Sequence, residues 1–139
     1  MMLWTYLAVF AAVIAADQLS KRWAIGLLPA AEPGWAAPGL AWSRTPSPAF
    51  ERLGGRGAGL VWLLAGTGGA ALCLAVPQGA VAALGGVAAW AAAGSNLAEW
   101  WRRGAVVDWV RLWPNSLTNL ADAVLLAGTA QLIVWMMVA

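Results

Sequence analysis

Apolar residues in this chain fall into four long blocks separated by shorter polar ones. The first begins at Met1, meets Asp17, Lys21 and Arg22, and resumes as "WAIGLL" to Leu28. The second, "GAGLVWLLAGTGGAALCLAV" at 57–76, carries no charge, and a "PQG" turn at 77–79 leads into the third, 80–94, which can extend through "SNLAE". The fourth, 120–138, carries only Asp122, at its start. Each block approaches the roughly 20 residues that a membrane-spanning helix needs. The pattern therefore predicts one domain of four spans at about 3–28, 57–76, 79–98 and 120–138.

Between the first two spans, residues 29–56 hold five prolines and four glycines, which break helices and favour turns or short strands. The expected architecture is an all-α integral membrane protein, with four transmembrane helices and a small β-rich or irregular extramembrane cap at 29–56. The short "PQG" loop makes spans two and three an antiparallel hairpin. The long connections, 29–56 and 95–119, then share the opposite side, and an even number of spans returns both termini to one side. Residues 1–16 have no basic residue ahead of them and read as helix rather than as a cleaved leader.

Composition agrees with the pattern. Hydrophobic residues make up 62% and charged residues 10%, against roughly 45–50% and roughly 25% in soluble domains. With no histidine and one cysteine, disulfides, His-based metal sites and Ser-His or Cys-His catalysis are excluded by count. Cys73 lies in an apolar run and reads as a buried structural thiol. No metal or cofactor is expected. The eight basic residues are scattered, which excludes nucleic acid as a partner. All eight fall on the side of the long connections, and the positive-inside rule would make that side cytoplasmic.

The polar residues within and beside the spans need reasons. Asp17 and Lys21 are four apart on one helix face and can pair, which lowers the cost of placing either in a bilayer. Asn96 and Glu99 are one helical turn apart. Trp90, Trp100, Trp101 and Trp109 suit the headgroup level, where Arg102 and Arg103 would meet phosphates. Asn119 and Asp122 have the spacing of a helix cap. The alternative is chemical. If Asp108 and Asp122 lie close together, both cannot easily ionise, so the pair holds an acid and a base at once and can direct water at a peptide carbonyl. The proline and Asn-Ser pair in "VRLWPNSLT" would let the chain fold back and bring Asp108 to the start of the last span.

The order of these motifs resembles the lipoprotein signal peptidase family, signal peptidase II. "DQLSK" matches its D-x-x-x-K, "VVDW" its V-x-D-[FW] and "NLAD" its N-x-x-D. The resemblance implies that Asp108 and Asp122 are catalytic and that Asn96 and Asn119 lie near them. It implies that Asp17 and Lys21 brace the first span, and that the cap, with Phe50, closes over substrate. Departures are also present. "SNLAEW" stands for G-N-x-x-D-R, so Ser95, Glu99 and Trp100 replace Gly, Asp and Arg, with Arg102 or Arg103 as the candidate substitute for the guanidinium. "TPSPAF" stands for N-x-G-A-[AS]-F, which leaves Ala49 and Phe50 and puts Thr45 at the asparagine and Ser47 at the glycine.

The implied activity is removal of the signal peptide from diacylglyceryl-modified prolipoproteins by a monomeric, multi-pass enzyme of the bacterial cytoplasmic membrane, in contact with membrane phospholipids. Its active site would face outward and its termini the cytoplasm, against the charge bias. Two rivals remain at the level of sequence: a catalytically impaired relative that binds lipidated precursors or scaffolds a membrane complex, and a small carrier whose intramembrane acids relay ions.

Overall fold

The computed structural model describes residues 2–31, 38–75, 80–113 and 116–138. Four helices carry the chain: α1 Met2–Leu27, α2 Pro48–Ala75, α3 Ala80–Arg103 and α4 Leu120–Val138. Three short strands, β1 Gly39–Thr45, β2 Val106–Trp113 and β3 Ser116–Thr118, form one antiparallel sheet in the order β1-β2-β3. By length and composition, Leu3–Leu27 and Leu120–Val138 suffice to cross a membrane. Among the described residues, these two helices meet that test.

The sheet differs from the expected cap in its source. It takes β1 from the connection after α1, but β2 and β3 from the connection between α3 and α4, so Asp108 sits on a strand rather than in a loose interfacial segment. The reason is pairing: an isolated strand leaves its backbone groups unsatisfied, and Ser43 opposite Asp108 and Val110 opposite Thr118 supply partners on both edges of β2. Helix α2 begins at Pro48, inside the segment expected as cap, and bends at Gly54, where φ is 65°. Helix α3 continues through "SNLAE" to Arg103 and stops at Gly104, whose amide bonds to the Trp100 carbonyl at 2.7 Å and whose φ is 71°. The "PQG" turn and the Pro114-Asn115 step lie outside the described residues, as does the side chain of Cys73.

Burial runs opposite to a soluble domain. The largest fully buried side chains are Lys21, Val107, Asn119, Asp17 and Ser95, while Leu3, Trp4, Leu126 and Met137 are exposed. An oily exterior around a polar centre fits lipid as solvent, because polar groups then gain only by meeting one another. The apolar core is mostly alanine, including Ala24, Ala91, Ala92 and Ala121. Small residues let the helices approach closely: a Cβ at Gly128 of α4 would strike the Gly85 carbonyl of α3.

Helices α2 and α3 are joined by a reciprocal contact. Trp62 donates its indole N–H to the Trp90 carbonyl at 2.9 Å, and Trp90 donates to the Trp62 carbonyl at 2.8 Å. The two rings stack 4.6 Å apart, with Phe10 against Trp90 from behind. Four residues on from each tryptophan is a glycine, Gly66 and Gly94, and a Cβ at either would collide with the opposite indole. This gives Trp90 a place between helices. The signal was visible in the sequence as two W-x-x-x-G segments, "WLLAG" and "WAAAG".

Candidate active site

The polar centre is built from α1, α3, β2 and the start of α4. Asp17 and Lys21, one turn apart on α1, pair at 2.8 Å, as their spacing predicts. Lys21 also meets Glu99 of α3 at 2.9 Å and donates to Oδ1 of Asn96 at 2.6 Å. Asp17 reaches further. One oxygen accepts from the Ser95 hydroxyl at 2.7 Å, and the other from the Ala121 amide of α4 at 3.1 Å. The first span thus holds the N-terminus of the last through a carboxylate at the positive end of its dipole. Ser95, at the family's glycine position, adds a tie the motif lacks, since its hydroxyl also accepts from Gln18 at 2.9 Å.

Glu99 closes the other side of the cluster. Arg103, four residues on, pairs with it at 3.0 Å, and the backbone amide of Val107 donates to it at 3.3 Å, fastening β2 to α3. Arg103 therefore occupies the site through Glu99, and Arg102 is exposed. Trp100 replaces the guanidinium with an apolar contact, its ring 5.6 Å from that of Phe50.

Asn119 performs two tasks that the sequence left as alternatives. It caps α4: its Oδ1 accepts from the Asp122 amide at 3.0 Å, while Asp122 accepts from the Asn119 amide at 3.3 Å and from the Thr118 hydroxyl at 3.2 Å. The cap fixes its side chain so that Nδ2 faces away from the helix. That nitrogen donates to Asp108 at 2.6 Å and lies 3.3 Å from Oδ1 of Asn96. Asn96 in turn donates to Asp122 at 2.9 Å. Asp108 and Asp122 are thereby joined through two amides, each giving an N–H to one carboxylate.

The two acids differ in environment. Asp108 is 5% exposed and Asp122 is half-buried. Burial pushes the Asp108 carboxyl above the ordinary aspartate range, and the negative charge of Asp122 adds to the rise. Asn119 and Lys21 oppose it, as does the Thr45 hydroxyl, which lies near the carboxylate but forms no hydrogen bond of good geometry. Among the described residues, no three His, Cys, Asp or Glu side chains are grouped as a metal site.

An apolar groove of about 300 Å³ lies over α3, between α2 and α4. Phe50, Trp62 and Trp90 line it, opposite Leu125, Thr129 and Leu132. The last three follow Asp122 at steps of three, seven and ten residues, so they extend the helix face on which Asp122 lies. Leu97, next to Asn96 in the chain, and Leu125, one turn after Asp122, bring the groove within a helical turn of the polar cluster.

The sequence model of Signal peptidase (SPase) II matches residues 9–138. The chain belongs to the signal peptidase II family. Two solved bacterial membrane enzymes share its fold. One, determined by the in meso method at 1.9 Å resolution, superposes with a TM-score of 0.71 at 15% identity, covering 95% of this chain and 92% of the other. The second, determined by the same method at 2.3 Å resolution, has a TM-score of 0.69 at 16% identity, covering 96% and 87%. No curated protein matches the sequence. Membership makes this chain a protease of lipoprotein processing, carried in a membrane fold.

Proposed function

We propose that this protein is an aspartic endopeptidase that cuts the signal peptide from diacylglyceryl-modified prolipoproteins, with Asp108 and Asp122 as its catalytic pair. The observation that carries the reading is the joining of these two carboxylates through Asn96 and Asn119, one helical turn from an apolar groove. Family membership supports the substrate class.

Burial favours the proton on Asp108, which leaves Asp122 as the base. Asp122 takes a proton from water as the water oxygen bonds to the scissile carbonyl carbon, and Asp108 gives its proton to the carbonyl oxygen. The tetrahedral intermediate then collapses: Asp122 passes its proton to the leaving nitrogen, the C–N bond breaks, and the hydroxyl proton returns to Asp108. Asn96 and Asn119 hold the two carboxylates in place throughout. Asp17, Lys21 and Glu99, with Arg103, position those amides. Phe50, which lines the groove, covers the substrate.

In this reading all four helices cross the bilayer. At 1.5 Å per residue, the 28 and 24 residues of α2 and α3 reach beyond the hydrocarbon core of about 30 Å. The sheet end, with the site, faces outward in a bacterial cytoplasmic membrane. The positive-inside bias loses weight because Lys21 is buried, Arg103 serves Glu99 and Arg111 is buried in β2. Exposed Arg22, Arg44, Arg52, Arg56 and Arg102 are free to meet phospholipid headgroups. The test is cleavage of a lipidated precursor by purified protein in proteoliposomes. Asp108→Asn and Asp122→Asn should each abolish processing, and cleavage that persists in either variant rules the assignment out.

A further inference from the structure

Trp62 and Trp90 do more than join α2 to α3, because both line the groove that Leu97 and Leu125 bring within a helical turn of the site. Their rings stack with an interplanar angle of 19° and form a plate on its floor. The plate cannot swing aside. Each indole N–H is bonded to the opposite backbone, Phe10 supports Trp90 from behind, and Gly66 and Gly94 seat the rings against helix backbone. Around the plate the lining is small, with Ala65, Gly86, Ala89 and Ala93. At about 300 Å³ the groove is at the lower limit of ligand-binding clefts.

Resting on the protease reading above, we infer that the Trp62–Trp90 plate is a specificity element that selects signal peptides with a small side chain where their apolar segment crosses it. Its position sets which residue is selected. Trp90 lies six residues before Asn96 on α3, so the plate is about 9 Å from the acids along the helix axis. A helical substrate segment advances at the same rate, which puts the selected position roughly six residues from the scissile bond. A bulky residue there meets two fixed rings, whereas one a single position away turns by about 100° and misses them.

The experiment is a scan of a lipidated precursor peptide whose apolar segment is alanine-based, with phenylalanine moved through it one position at a time. The full-length protein in proteoliposomes should show a local minimum in kcat/KM, at least about tenfold below the flanking positions, in line with steric discrimination in apolar pockets. Trp62→Phe should shrink the ratio between flanking and blocked peptides, since a smaller ring without an N–H lowers and loosens the plate. A flat wild-type scan overturns the inference without any variant, and so does a minimum of unchanged depth in Trp62→Phe or, should that variant not fold, in Trp90→Phe. A clasp that only holds the helices together would change overall rate or stability and leave the ratio alone. Failure of the protease reading is seen separately, as cleavage of the all-alanine peptide by Asp108→Asn.

Discussion

Lys21 and Asn96, 75 residues apart, meet through a 2.6 Å hydrogen bond that determines which way the Asn96 amide faces. An ammonium can only donate, so the atom toward Lys21 is the amide oxygen, and the NH₂ must turn to Asp122. A cation on the first helix therefore directs a donor at an acid on the last. Asn96→Ala removes that donor and should lower kcat by roughly 10²-fold, the usual cost of losing one fixed active-site hydrogen bond. Asn96→Asp keeps the acceptor for Lys21 but sets a carboxylate against Asp122. Activity close to wild type in Asn96→Asp would show that the donor is not needed.

Asp108 gives a pH dependence whose sign follows from its burial. Its carboxyl is raised in the folded protein, so the folded state holds the proton more tightly than the unfolded chain. The associated stability is fully present below the ordinary aspartate pKa and is lost as pH rises through the raised one. Asp108→Asn cannot ionise and can still accept from Asn119. It should therefore unfold at a higher temperature than wild type at neutral pH, with the gap closing in acid. Thermal unfolding in detergent across that range checks it, and an unchanged gap would count against the raised carboxyl.

Glu99 and Ser95 mark opposite ends of a stability scale. Glu99→Ala leaves Lys21 with one acid fewer and frees Arg103 and the Val107 amide. Removing one member of a buried ion pair costs about 3–5 kcal/mol. Ser95→Gly restores the family residue but deletes the hydroxyl between Asp17 and Gln18. It should cost about 2–3 kcal/mol, from two hydrogen bonds and a helical glycine. Chemical or thermal unfolding of the two variants in the same detergent orders them.

Gly66 tests the packing of the clasp. A side chain there has no room beside Trp90, and overpacking of this kind costs typically about 1–3 kcal/mol. Gly66→Ala should lower the unfolding temperature, while Gly68→Ala, where a Cβ meets nothing within 4 Å, should not. Equal effects at both sites would mean that the close approach is not a constraint.

Much of the site was legible because its members are chemically out of place in an apolar chain. Asp17, Lys21, Asn96, Glu99, Asn119 and Asp122 each had to have a partner, and the i, i+4 spacing of Asp17 and Lys21 named one of them directly. The strand character of Val106–Trp113 was less visible. Its "VVDWVRLW" does not declare an edge or a partner, and only pairing with Gly39–Thr45, more than 60 residues earlier in the chain, decides it. The tryptophan clasp was missed for a related reason. W-x-x-x-G is unremarkable on one helix, and acquires meaning only when two such helices lie antiparallel.

The sequence by itself determined that this chain lives in lipid and that its few polar groups gather at one end, because the cost of stranding them in hydrocarbon allows nothing else. The Asn119–Asp122 cap follows from a local rule of helix ends. Tertiary structure alone decided that Lys21 is shared among Asp17, Glu99 and Asn96, that two amides bridge Asp108 to Asp122, and that two stacked indoles floor the groove. Apart from Asp17–Lys21, these are contacts between residues 11 to 78 positions apart. Hydrogen bonds and ring stacking act over about 3–5 Å, so no pattern along the chain can specify which distant partners will come within reach.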